Sequence, residues 1–345
     1  MGNEIVQNPS ESAFEKEVIN EKTMTPLVSI LIPCFNARTW LRQAIESSLS
    51  QTYAPVEVLM IDDGSSDDSD RIGEAFGDRI TWIARENRGG NPTRNELLAM
   101  SSGQWIQYLD ADDYLTPDKI DRQLESLKHA KDPDKVDVIY SPVRTDYYQG
   151  EECVAVHPPV APVSEDPWIL HSRWELTQTG GALFRKSALE DVGGWNEDQD
   201  CCQDNELFLR LLQAGKCFLP CPDAVAVYRR FEDGTVSTRK RARVVNEILR
   251  VLDLTEAHLR DTGKMTAERL NAINHHRFWL ARNIWPWASG HSLEIMHQVK
   301  GLQPDFAPEP SRFAPASYRA CYAVFGFAAA EGIAAAKRRI LRRSS

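Results

Sequence analysis

The sequence has no cysteine framework. Its seven cysteines, an odd number, are scattered without the spacing of a disulfide scaffold, and neither Cys201-Cys202 nor Cys217 with Cys221 has zinc-knuckle spacing. That excludes a small stapled secreted fold. Together with the lack of a signal peptide, it points to a reducing cytosol. Positive charge is also in short supply. Fifty Asp and Glu outweigh 40 Lys and Arg, a net charge of -10, which argues against a nucleic-acid partner. No stretch approaches the ~20 apolar residues expected of a membrane span. Internal repeats are absent, and Leu27–Asn36 contains neither the glycines nor the basic residues of a phosphate loop. What is present is ordinary for a globular chain: 345 residues, 42% hydrophobic and 26% charged. That length fits one large domain with an appendage, or two domains.

Residues 1–25 are polar and without a clear period, a loose arm with at most a short helix around Phe14–Ile19. After them the pattern sharpens. Apolar runs at Leu27–Ile32, Val56–Ile61, Ile80–Ala84 and Gln104–Leu109 predict buried strands. Helical periods lie between them, the first marked by Leu41, Ile45 and Leu49. Pro92 fits the first position of a helix over Thr93–Met100, and Thr116-Pro117 opens another through His129. Strand and helix alternating at roughly 25-residue spacing predict an α/β fold, a mostly parallel sheet with helices on both faces. Further on, Val136–Arg144, Glu151–Val160 and Gly180–Phe184 read as strands, and Phe218–Tyr228 as one strand interrupted by Pro220 and Pro222. Trp168–Trp174 looks helical, and Gln203-Asp204-Asn205-Glu206 opens a helix closed by Gly215. From Thr238 only helical patterns follow, broken near Pro286, Pro304 and Pro315.

Polar loops follow the strands at Pro33–Asn36, Asp62–Ser66 and Asp110–Asp113, so all three should crowd one sheet edge, where open α/β sheets bind ligands. The stretch Tyr108–Asp113, YLDADD, is the sharpest feature. An apolar strand runs into Asp110, Asp112 and Asp113, and carboxylates so close repel unless a cation sits among them. Mg²⁺ or Mn²⁺ suits such a site. Plainer roles exist. The three can cap the next helix. A calcium loop starting at Asp110 fails, because Leu115 stands where Gly is needed and Asp121 where Glu is needed. Asp62-Asp63-Gly64 can be an ordinary turn, and Asp204 an N-terminal helix charge. Arg94 can reach a diphosphate or pair with a carboxylate. His275-His276 read as surface or packing residues, and the segment with Trp279, Trp285 and Trp287 can pack a helical core or line an acceptor platform.

Five segments, in order, resemble the family 2 glycosyltransferases. They are VSILIPCFN (Val28–Asn36), EVLMIDDGSSDDS (Glu57–Ser69), Glu86–Asp113 with its YLDADD, TGGALFRKSALEDVGGWNED (Thr179–Asp198) and QDNELFLRLLQAG (Gln203–Gly215). The resemblance covers roughly Pro26 to Arg229. It implies a GT-A type fold, Rossmann-like, with a mostly parallel sheet flanked by helices and a C-terminal helical extension. It also implies an arm (1–25), a glycosyltransferase domain (26–232) and the extension (233–345). The domain divides into a nucleotide-sugar half (26–130) and an acceptor half (131–232). By position, Asp112 matches the metal ligand of the DXD motif for Mn²⁺ or Mg²⁺, and Asp110 its first carboxylate. Pro33, Phe35, Asn36, Asp63, Arg94 and Ala111 fall on the donor nucleotide, with Phe35 placed to stack on the base and Asp63 to contact it. Asp204 matches the general base, although Gln203 stands where members often carry Glu.

The implied activity is metal-dependent, inverting transfer of one sugar from a nucleotide-sugar, taken as UDP-linked, to a saccharide or lipid-linked saccharide, in polysaccharide or glycoconjugate synthesis. The QXXRW segment of processive members is absent, which argues against long-chain polymer synthesis. The alternatives are a nucleotidyltransferase making nucleotide-sugars and a non-catalytic nucleotide-sugar binder. The expected location is cytoplasmic. The last helix, ending in Lys337, Arg338, Arg339, Arg342 and Arg343, can touch the inner face of the membrane or dock on the domain.

Overall fold

The structure, a computed structural model, describes residues 25–160, 164–231 and 241–341, with side chains to Lys337. The expected arm, with its helix around Phe14–Ile19, lies outside the described residues, as do the side chains of Arg338 and Arg339 and the whole of Arg342 and Arg343. The first half of the chain runs β1 (Val28–Cys34), α1 (Arg38–Leu49), β2 (Val56–Asp62), α2 (Ser69–Ala75), β3 (Thr81–Ala84), α3 (Gly90–Met100), β4 (Trp105–Tyr108), β5 (Tyr114–Leu115) and α4 (Lys119–Lys128). There follow β6 (Val136–Tyr140), β7 (Val143–Gln149), β8 (Glu152–His157), α5 (Pro167–Arg173), β9 (Ala182–Arg185), α6 (Lys186–Asp191), α7 (Gln203–Gln213), β10 (Cys217–Pro220) and β11 (Ala226–Phe231). Four helices close the chain: α8 (Arg241–Asp261), α9 (Ala267–Ile284), α10 (Ser289–Leu302) and α11 (Ala316–Leu341).

The main sheet has seven strands in the order β10-β6-β9-β4-β1-β2-β3. It is parallel except for β9, which runs antiparallel to both β4 and β6. β1 is buried along almost its whole length because helices cover both faces. One apolar layer contains Ile30, Ile32, Leu41, Ile45 and Met60, and the opposite layer Leu31, Leu59, Ile61, Leu97 and Ile106. Fully burying one such aliphatic side chain contributes about 1.5–3 kcal/mol. A smaller sheet, β5-β11-β7-β8, lies beside the first. The C-terminal helices form a third core around Val251, Leu252, Phe278, Leu280 and Tyr322.

Several expectations need correcting. The apolar run Phe218–Tyr228 is two strands in different sheets: β10 pairs with β6, and β11 with β7. Pro220 and Pro222 lack the N–H a continuous ladder needs, and Cys221 N–H instead closes onto Tyr140 O at 2.8 Å. Helix α3 begins at Gly90, which makes Pro92 its third residue rather than its first. The first turn of a helix has no intrahelical use for its N–H groups, so proline fits there too. Gly180 and Gly181 belong to a 3₁₀ turn, Thr179–Gly181, before β9 rather than to the strand. A Cβ on Gly181 would lie 2.7 Å from Ser141 O, so its bareness admits backbone. Finally, among the described residues one helical segment is long and apolar enough to cross a membrane by length and composition, Ala316–Lys337, 22 residues with mean hydropathy 1.2, although Gly326, φ 77°, kinks α11 in its middle. Alanine and glycine, rather than large aliphatic residues, give the segment its length, so no run of bulky side chains marks it.

Candidate active site

β1 and β4 are neighbours in the sheet, and from them the strand order runs in opposite directions, from β1 to β2 and from β4 towards β6, the switch point at which α/β sheets bind ligands. The exits of β1, β2 and β4 and the loop before α3 enclose a cleft of about 630 Å³. Its walls include Pro33, Phe35, Asn36, Asp63, Arg94, Asp110, Ala111 and Asp112. Every donor-side residue expected from the sequence therefore meets in one place. Clefts of 590 and 450 Å³ among the C-terminal helices are nearly as large but lack carboxylates. Chemistry, not size, selects the site.

Each wall is held by hydrogen bonds. Asn36 adopts a left-handed conformation, φ 50°. It locks the β1 exit to the β2 exit: its N–H donates to Ser65 Oγ at 2.8 Å and its Oδ1 accepts from Ser66 N–H at 2.9 Å. The Phe35 ring, 54% exposed, is free to stack on a ligand. Asp63 is buried and accepts from three donors. Its Oδ1 accepts from Arg85 Nη1 and, at 2.9 Å, from Arg88 N–H, while its Oδ2 accepts from Gly89 N–H at 2.8 Å. Gly64 follows with φ +79°, and a Cβ there would lie 2.7 Å from Asn87 N, so only glycine lets these loops touch.

Arg94, left between two partners by the sequence, pairs with a carboxylate: Nη2 donates to Asp110 Oδ1 at 2.7 Å. Its guanidinium also lies 4.8 Å from the Trp195 ring centroid. Asp113 N–H donates to Asp110 O at 2.9 Å and closes the acidic turn. The Asp113 side chain does more than shape that turn. It is buried and accepts from Arg229 N–H at 2.7 Å on β11. Burial, with the charges of Asp112 and Asp110, holds its carboxyl well above the usual range. Burial, then Asp110, pushes Asp112 up to about 6.

Among the described residues no side chain hydrogen-bonds the Asp112 carboxylate, and no three His, Cys, Asp or Glu form a metal cage. One unshared, crowded carboxylate fits a hard cation such as Mg²⁺ or Mn²⁺, which takes one or two protein carboxylates and completes its shell with phosphates and water. Asp112 would hold it.

Asp204 is the second residue of α7, across from the acidic turn. Its Oδ1 accepts from Asn205 N–H at 2.9 Å. Burial raises its carboxyl above the ordinary value, and the negative charge of Asp110 raises it further. It does not line the main cleft. An adjoining cleft of about 510 Å³ is lined by its neighbours Gln203 and Cys201 and shares Gly89 and Gly90 with the first.

Sequence reasoning missed Trp40 and Asn87, which line the cleft together with Phe231, while Arg229 lies buried beneath it. Phe231 and Arg229 come from the strand hidden in the Phe218–Tyr228 run and its continuation. Among the C-terminal aromatics, Trp285 packs on Phe327, whereas Trp279 and Trp287 are exposed. His276 is buried and bonded to Ser172 O at 3.0 Å.

Residues 29–193 match the sequence model of a family described as Glycosyl transferase family 2. An uncharacterized glycosyltransferase of Rickettsia typhi is 34% identical over 118 residues, 34% of this chain and 37% of the relative. The chondroitin synthase of Escherichia coli is 30% identical over 210 residues, 58% of this chain and 29% of the synthase. The chain thus spans about a third of the length of the curated relatives it matches. Among solved structures, S. aureus TarS 1-349 in complex with UDP-GlcNAc superposes with a TM-score of 0.57 at 13% identity, over 88% of each chain. The mannosyltransferase PcManGT from Pyrobaculum calidifontis, in complex with GDP-Man and Mn²⁺, gives 0.51 at 16% identity, over 92% of this chain and 81% of that one. At such identities the likeness is one of fold.

Proposed function

Since residues 29–193 form a glycosyl transferase family 2 domain on a GT-A fold, we propose that this transferase moves one sugar from a nucleotide-sugar to a saccharide or lipid-linked saccharide, with inversion and with a divalent cation. The observation that carries this reading is the convergence of Pro33, Phe35, Asn36, Asp63, Arg94, Asp110 and Asp112 on one cleft at the switch point, with Asp204 close enough to feel the charge of Asp110. The donor is taken as UDP-linked. Phe35 stacks on its base, Asn36 and Pro33 shape the base pocket, and Asp63 offers its remaining lone pair to the base. Asp110 fixes Arg94 beside the diphosphate. A Mg²⁺ or Mn²⁺ on Asp112 would act as a Lewis acid on the diphosphate oxygens. Asp204 takes the proton from the acceptor hydroxyl, and its raised pKa makes it a stronger base than an exposed aspartate. One displacement with one base inverts the anomeric centre and needs no covalent nucleophile.

The reading is non-processive, because the given sequence carries no QXXRW segment. It serves an envelope polysaccharide or glycoconjugate, on the cytoplasmic side, with a peripheral contact between the C-terminal basic helix and the inner membrane face.

Two variants test the core of the proposal. Asp112→Ala should abolish turnover of the donor and weaken Mn²⁺-dependent nucleotide binding. Asp204→Asn should keep the affinity for donor, measured by calorimetry, and lower kcat by roughly 10²–10⁴. Full transfer by Asp204→Asn removes it as the base, and release of pyrophosphate instead of nucleoside diphosphate makes the protein a nucleotidyltransferase.

A further inference from the structure

Arg229 is 1% exposed and forms no ion pair among the described residues. A buried cation without a carboxylate is costly unless other groups compensate it. Here three aromatic rings contribute, beside the nearby charges of Asp112 and Asp113: the guanidinium carbon lies 4.5 Å from the ring centroid of Trp40, 4.6 Å from Tyr114 and 5.6 Å from Tyr148. Both terminal nitrogens and the main-chain N–H donate to the acidic turn and to α1, while the buried Nε finds no hydrogen-bond partner among the described residues. Nη1 donates to Asp112 O at 2.7 Å, Nη2 donates to Gln43 Oε1, and the main-chain N–H donates to Asp113 Oδ1 at 2.7 Å. Arg229 is not on the cleft wall. Trp40 and Phe231, which pack on each other, are.

We propose that Arg229 is the positioning residue of the acidic turn: from beneath the cleft its guanidinium fixes the Asp112 main chain, and so aims the Asp112 carboxylate, while tying that turn to the second sheet. The turn is then fastened at three points. Arg94 holds the Asp110 carboxylate, the Arg229 side chain holds the Asp112 carbonyl, and the Arg229 N–H holds the Asp113 carboxyl. Among the described residues no other side chain bonds the Asp112 carboxylate, which would hold the cation. Hydrogen-bonded partners behind a metal-binding carboxylate set its orientation, and misplacing it weakens the metal site. A planar fork is needed because Asp112 O and Gln43 Oε1 lie on different elements and must be reached at once.

This inference rests on the proposed function, and calorimetry separates the two. UDP and GDP are titrated into the full chain with Mn²⁺ and again with a chelator. Arg229→Met should lower Mn²⁺-dependent nucleotide affinity about 10-fold or more and change metal-free affinity less than about twofold. Arg229→Lys, able to reach one acceptor but not both, should fall between. Gln43→Leu removes one acceptor and leaves the cation in its aromatic box, so it serves if Arg229→Met does not fold; an affinity loss of about threefold, confined to the Mn²⁺ arm, is expected. Equal losses with and without metal would mean that Arg229 contacts the nucleotide directly, and overturn the positioning role. So would unchanged Mn²⁺-dependent affinity in the variants. No Mn²⁺-dependent binding by the wild-type chain would overturn the function and the inference together.

Discussion

At the residue scale, Asp63 joins the two rims of the cleft. Three donors converge on it, from Arg85, Arg88 and Gly89, none in its own turn. Removing one partner of a buried pair strands the others. Asp63→Ala is therefore expected to cost roughly 3–5 kcal/mol, read as a lower urea midpoint, and to weaken nucleotide binding through the slackened Asn87–Gly90 loop. A loss under ~1 kcal/mol would show that these bonds hold little. The position of Asp63 after β2 was legible in the sequence, because an apolar run ends there. Its three partners were not, since they arrive 22 to 26 residues later across a loop with no period. Arg229 was less legible still. Its contact with Asp112 spans 117 residues, and nothing in Tyr228–Phe231 distinguishes a buried arginine from an exposed one.

At the scale of elements, α4 inserts Lys119 beneath the sheet. It is fully buried, and its Nζ donates to Gln107 Oε1 on β4 and, at 2.8 Å, to Gln123 Oε1, with no carboxylate near. Burial lowers its pKa to about 7. In the unfolded chain the same amine titrates near ~10.4. Between those values the unfolded state holds the extra proton, so stability rises with pH, by at most about 1.4 kcal/mol per unit. Urea unfolding at pH 7 and 9 should show the wild type gaining up to about 2–3 kcal/mol relative to Lys119→Met; parallel behaviour of the two would mean a charged, satisfied lysine. A sequence pattern could not find this lysine, because α4 is polar on most positions and Lys119 sits among its buried ones. Strands β1, β2 and β4 were legible, being apolar runs bounded by turn residues. β10 and β11 were not, since one apolar run feeds two sheets and only tertiary pairing divides it.

At the scale of the molecule, the helical extension seats on α5. His276 bonds Ser172 O, Arg269 pairs with Asp166 at 2.7 Å, and Arg173 with Glu309 at 3.0 Å. On the same helix His171 Nε2 bonds Asn205 O, next to Asp204, so the extension reaches the proposed base through two histidines that burial keeps neutral, each down at about 4. The outer face of α11 is unlike that of an ordinary surface helix. Val324, Phe325 and Ile333 are 60–72% exposed, and the sole charge from Ala320 to Ala336, Glu331, is buried against Arg282. Sedimentation with vesicles containing anionic lipid should therefore pull down the chain, and Val324→Glu with Phe325→Glu should lower binding about fivefold or more; equal binding would place the contact elsewhere. One strand has a consequence for how the chain assembles. β9 is the bridge between β4 and β6, yet it follows β4 by roughly 70 residues. During synthesis the strands β1 to β4 can pair as soon as they emerge, whereas β6 must wait, unattached, for its neighbour to be made. The β1–β4 side of the sheet is thus expected to form first, with β6 and β10 joined to it through one strand made late.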